Sequence, residues 1–126
     1  MKISAVGVST TNMMKSAEFY TLLGFMFPTF KEDEQHLEPI TPEGSARLMI
    51  DHHDLAKSII GEEPTHGNHS SFGIEYESAD QVNSVAEKLT QAGFNVVKAP
   101  WDAFWGQRYC IVADPDGYMC DLYAAL

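Results

Sequence analysis

Positive charge is scarce in this sequence. Eight Lys and Arg stand against eighteen Asp and Glu, a formal net charge of −10, and the only arginines are Arg47 and Arg108. A chain this acidic is poorly suited to neutralising phosphates, which argues against nucleic acid and anionic membrane as partners. Cysteine is scarcer still, limited to Cys110 and Cys120. No apolar run approaches the roughly 20 residues that span a bilayer. The apolar part of the opening "MKISAVGVST" is too brief for a signal peptide. A cytoplasmic location and reduced thiols are therefore expected.

What remains is an ordinary globular composition, 44% hydrophobic and 21% charged over 126 residues. That length suits one domain, or two small modules sharing a core. The order of patterns favours the modular version, because the chain repeats itself. "KISAVGVS" at 2–9 alternates as a half-buried strand, with Val6 and Val8 on one side and Ala5, Gly7 and Ser9 on the other. A helix follows, capped by Asn12, with Met14, Ala17, Phe19, Leu22 and Leu23 as its apolar face and Gly24 as its stop. Strands are expected around 25–31 and 35–40, a turn at Pro42 to Gly44, a firmer strand at 45–51, and a short helix at 54–60 capped by Asp54. The polar stretch 61–69 reads as a connector.

From residue 70 the pattern restarts. Phe72-Gly73-Ile74 matches Val6-Gly7-Val8, and the second helix carries Val82, Val85, Ala86 and Leu89 inward before Gly93. The helix ends "LLGF" and "QAGF" correspond. The chain is thus read as a single 1–126 domain of two modules, 1–60 and 70–126.

After "NVVKAP" comes an aromatic loop, "WDAFWG", and then "CIVADPDGYMCDLYA". Here Asp114-Pro115-Asp116-Gly117 is a hairpin turn, Pro115 suiting the second position of a type I turn and Gly117 the left-handed residue after it. The implied register sets Tyr109 against Tyr123, Ile111 against Asp121 and Ala113 against Met119. Arg108, Cys110, Val112, Cys120 and Leu122 fall on the opposite face. The two cysteines are then diagonal, which weakens the case for a disulfide. Asp121, an ionisable residue on a face shared with Tyr109, Met119 and Tyr123, either reaches water or lines a cavity with aromatic walls.

The ordered series "MMKSAEFYTLLGF", "AEKLTQAGF" and "WGQRYCIVADPDGYMCDLY" resembles the vicinal oxygen chelate superfamily of glyoxalase I, bleomycin-resistance proteins and extradiol dioxygenases. That resemblance covers nearly the whole chain. It implies an α+β fold of two βαβββ modules, whose mixed sheet curves into a cup with helices outside, and a homodimer. It also implies metal ligands on the first and last strands of each module. Carried onto this chain, those positions are Ala5 and Ser71 on the first strands, Asp121 on the last strand of the second module, and Met49 or, with slipped register, Asp51 in the first. Ala5 supplies no donor and Ser71 a weak one, whereas a divalent metal needs several converging ligands. No metal and no cofactor are therefore expected.

The reading is a metal-independent small-molecule-binding protein holding an apolar or aromatic ligand. Asp121, Tyr109, Tyr123, Trp105, Phe104, Trp101, Met49 and Arg47 are the candidate contacts. Arg108, on the other face, suits a structural ion pair. The alternative is an enzyme, a lyase, isomerase or dioxygenase with a metal held by Asp51, Asp121 and one of His52, His53, His66 or His69. A metal-free enzyme using Asp121 as general base is a thinner version of it. "DHHD" at 51–54 and "HGNH" at 66–69 resemble metal-binding text, but adjacent histidines on one strand point to opposite faces.

Overall fold

The computed structural model describes residues 1–126, which divide into two compact units, 1–66 and 67–126. The first contains β1 (Ala5–Thr10), α1 (Met13–Leu22), β2 (His36–Leu37), β3 (Arg47–His52) and α2 (His53–Ile60). The second contains β4 (Phe72–Glu75), α3 (Ala79–Gln91), β5 (Asn95–Ala103), β6 (Gln107–Ala113) and β7 (Met119–Ala125). Each unit has its own mixed sheet, ordered β1-β3-β2 in the first and β4-β7-β6-β5 in the second. The α+β class and the repeated unit expected from the sequence are both present.

The repeat extends to individual hydrogen bonds. In each unit the first strand runs parallel to the last, with Gly7 beside Met49 and Gly73 beside Asp121. Both helices begin with a side-chain cap: Asn12 Oδ1 accepts from Lys15 N–H at 3.0 Å, and Ser78 Oγ from Gln81 N–H at 3.3 Å. Both end on a glycine in the left-handed region, Gly24 at φ 111° and Gly93 at φ 84°. The phenylalanine after each glycine returns its N–H to a carbonyl in the last turn, Phe25 to Tyr20 at 3.1 Å and Phe94 to Leu89 at 2.9 Å. The matching "GF" pairs in the sequence are thus matching helix stops.

The first unit is the plainer copy. The strand expected at 25–31 reduces to one bridge between Met26 and Ile40, and that expected at 35–40 to His36–Leu37. Pro28 and Pro39 each lack an N–H for a ladder in these stretches. The face expected for α1 is rotated slightly: Met13, Ser16, Ala17, Phe19, Tyr20 and Leu23 are buried, whereas Met14 is half exposed. Asp54 does not cap α2. His52 does, its Nδ1 accepting from Asp54 N–H at 3.2 Å, and Asp54 lies in the first turn.

In the second unit α3 packs on β5, β6 and β7. Its Val82, Val85, Ala86 and Leu89 are buried, as are Cys110, Val112, Cys120 and Leu122 on the strands. Arg108 identifies this as the helix-side face, donating to Asn83 on α3 at 2.8 Å and to Asp102 at 2.6 Å. The β6–β7 register is the one the turn implies, with Tyr109 opposite Tyr123, Ile111 opposite Asp121 and Ala113 opposite Met119. The thiols of Cys110 and Cys120 are unpaired and buried.

Candidate functional site

On the sheet face of the second unit opposite α3, strand pairing sets side chains in two neighbouring rows. One runs Glu75, Tyr123, Tyr109, Trp101; the next runs Gly73, Asp121, Ile111, Lys98. The first row places aromatic rings on three consecutive strands. Tyr109 and Tyr123 stack at 5.7 Å and 17°, and Trp101 meets Tyr109 edge-on at 5.4 Å. Trp105, from the β5–β6 turn, packs edge-on against Tyr109 at 5.2 Å and donates its indole N–H to Gln107 Oε1 at 2.8 Å.

Asp121 is held from two sides. Tyr109 donates its hydroxyl to Asp121 Oδ2 at 2.5 Å, and Ser70 donates to Oδ1. Burial, and then the bond to the Asp121 carboxylate, push the Tyr109 phenol up to about 12. Gly73 leaves the room in which Tyr123 lies: a Cβ there would stand 3.0 Å from Tyr123 Cε1. Lys98 completes the face, its ammonium 3.8 Å from the centre of the Trp101 ring.

Sequence and structure differ on the aromatic segment. Trp101, Asp102 and Ala103 belong to β5 rather than to a loop, and only Phe104 to Gly106 turn the chain. Phe104 is 98% exposed at that turn, against Trp105 on one side only, at 5.0 Å. Ser71 lies one residue before β4, which begins at Phe72. It is Ser70 that reaches Asp121, while Ser71 is exposed.

Met49 and Arg47 lie in the first unit, on the strand face bearing Asp51. Arg47 donates to Glu38 through Nε at 2.7 Å and Nη2 at 3.1 Å, with Met49 Sδ 3.5 Å from Nη2. His36, which the sequence reading passed over, bridges Asp51 at 2.6 Å and Glu38 at 2.8 Å. Hydrogen bonds from Arg47 and His36 hold Glu38 down to about 2, and those to Asp51 and Glu38 raise the His36 imidazole. Only the alternation of two very short segments, 36–38 and 47–51, could have suggested this cluster.

The donor set at the positions expected to ligate a metal does not suit one. Ala5 has no donor atom. The Gly7–Met49 pairing makes Met49 the counterpart of Asp121, so the last-strand position of the first unit offers a thioether, and Asp51 pairs with Ser9 instead. Both oxygens of Asp121 already accept hydroxyl protons. The histidines of "DHHD" and "HGNH" do not converge: His52 caps α2, His53 bonds Glu63, and His69 bonds the Ser70 carbonyl. No group of three or more His, Cys, Asp and Glu side chains is placed to hold a metal ion. No helix is long and apolar enough to cross a membrane.

Known proteins agree on the fold. The structure resembles a glyoxalase-related enzyme from Fulvimarina pelagi with a TM-score of 0.82 at 16% identity, covering 98% of this chain and 87% of that one. It resembles a glyoxalase/bleomycin resistance protein/dioxygenase family enzyme from Burkholderia phytofirmans PsJN at 0.80 and 16%, covering both chains fully. It also resembles a lactoylglutathione lyase from Agrobacterium tumefaciens at 0.71 and 12%, covering 98% and 92%. No curated protein sequence matches it significantly. The family model of the glyoxalase/bleomycin resistance protein/dioxygenase superfamily matches residues 2–122, and the chain belongs to that superfamily.

Proposed function

We propose that this protein binds a planar, largely apolar small molecule on the aromatic face of its second unit, without a metal. One observation carries the reading: rings from β5, β6 and β7 line up on a partly exposed sheet face around a carboxylate fixed by two hydroxyl donors. Such a face offers stacking area at low entropic cost, because the rings already brace one another. The absence of nitrogen or oxygen donors in the side chains of Ala5 and Met49 supports metal independence. Asp121 orients the ring wall through Tyr109 rather than serving as an open base, since both its oxygens are engaged. The homodimer implied by the family resemblance and the cytoplasmic location expected from the sequence belong to the same proposal, and sedimentation at graded concentration tests the dimer.

The functional test is a titration of tryptophan fluorescence with neutral two- and three-ring aromatic compounds, in protein stripped with chelator. A saturable change, unaltered by adding nickel, zinc, manganese or iron, is the expected result. Binding or turnover that appears only with one of those metals would overturn the proposal in favour of a metal-dependent lyase, isomerase or dioxygenase.

A further inference from the structure

We infer that the ligand of this face is an organic cation, a planar ring system bearing a quaternary or protonated nitrogen, and that Lys98 is a built-in competitor for its place. The inference rests on the aromatic face being a ligand site and adds the charge of what it takes.

Three observations converge. The first is that the face already holds a cation: the Lys98 ammonium lies 3.8 Å from the centre of the Trp101 ring, within the range of a cation–π contact. The Trp101 π-face is thus open to a positive group, and the group occupying it is the end of a flexible, exposed side chain.

Charge complementarity is the second. Residues 67–126 carry eight Asp and Glu against three Lys and Arg, a net charge of −5. Of the three cations, Arg108 is committed to Asp102 and Asn83 on the opposite face, and Lys88 belongs to α3. Lys98 is therefore the one positive side chain among the two rows, which also carry the carboxylates of Asp121 and Glu75. Once Lys98 has swung away, an anionic ligand would meet two like charges there, a neutral one only stacking, and a cation both attractions.

The third is the state of the Tyr109 ring. A phenol donating a hydrogen bond to a carboxylate shifts electron density from its O–H into the ring, which makes the ring a better partner for positive charge. Tyr123 stacks on that ring at 5.7 Å and 17°, adding a second ring to the wall.

Three planar probes of nearly one shape test the charge: N-methylquinolinium, 1-methylnaphthalene and 1-naphthoate, titrated calorimetrically into metal-stripped full-length protein at low salt. The cation should bind at least about ten-fold tighter than the neutral hydrocarbon, and the anion most weakly. Lys98→Met, at an exposed position of β5, should raise the cation-to-neutral affinity ratio about three-fold or more by removing the competitor's positive charge along with its hold on the ring. Equal affinity for the cation and the hydrocarbon would overturn the inference while leaving the binding proposal standing. A ratio unchanged or lowered by Lys98→Met would overturn the competitor role. Failure of all three probes to bind would overturn both readings.

Discussion

Tyr109 and Asp121 stand two residues out of register on β6 and β7, and the phenol crosses that diagonal to donate to the carboxylate at 2.5 Å. The contact ties the aromatic row to the polar one, so that the ring wall and the charge beside it move as a unit.

Breaking it should be measurable without any ligand. Tyr109→Phe keeps the ring and removes the donor, leaving Ser70 alone on Asp121. Urea unfolding should show a loss of about 1 kcal/mol. The same tyrosine sets a pH dependence. Its phenol ionises near 10 in the unfolded chain and about 12 in the folded one, mainly because of burial. Between those values the folded state holds a proton that the unfolded state has released, so stability falls as pH rises from 10 to 12. Tyr109→Phe should shallow that slope, as read from unfolding midpoints across the window.

Gly73 and Gly7 are equivalent in the repeat, yet their tolerance of a methyl should differ. A Cβ on Gly73 would press Tyr123 Cε1 at 3.0 Å, and that ring is backed by Tyr109. A Cβ on Gly7 would meet only Met49, at 3.9 and 4.0 Å. Gly73→Ala should cost about 1 kcal/mol and perturb the near-UV circular dichroism of the tyrosines. Gly7→Ala should be neutral to slightly stabilising, within about 0.5 kcal/mol.

The "DPDG" hairpin should be sensitive at its first residue. Asp114 is buried, and its Oδ1 accepts from the N–H groups of Asp116 at 3.0 Å and Tyr118 at 2.9 Å. Asp114→Ala leaves both donors in a half-buried turn and should cost about 2 kcal/mol by chemical denaturation. Asp114→Asn, which keeps an acceptor there, should recover most of that.

In the first unit the His36 imidazole is raised above its ordinary 6.5 by its bonds to Asp51 and Glu38. As pH rises past 6.5 the unfolded chain loses this proton first, so the contribution of His36 is complete below 6.5 and disappears as pH passes its higher folded value. Glu38 acts oppositely, its contribution being lost as pH falls from 4.5 through about 2. The His36 ring resonances, followed by NMR, should titrate above those of a histidine in a short peptide, and Glu38→Gln should move them down.

Much of the second unit could be read from residue order. A turn sequence that demands a left-handed Gly117, flanked by alternating apolar residues, fixes which side chains are opposed, so the grouping of Tyr109, Tyr123 and Asp121 followed directly. The helix stops were equally plain, since each is a local backbone requirement met by one glycine. β5 resisted because its pairing with β6 shifts between Val96 and Lys98 and again between Lys98 and Trp101. Those irregularities break the period of two, hiding that Trp101 is a strand residue and that Lys98 shares its face. Ser70 lay beyond the first regular strand residue, where alternation says nothing. The His36 cluster depends on a two-residue strand, too short to carry a pattern.

The central claim is that the aromatic face binds a planar molecule through its rings and without a metal. The most direct measurement is the saturable tryptophan fluorescence response of chelator-stripped protein to planar compounds, compared between the parent chain and Trp101→Leu. The expected result is a response in the parent that metal addition leaves unchanged and that Trp101→Leu weakens about ten-fold or more. A response that requires a divalent metal, or one that Trp101→Leu leaves intact, would contradict it.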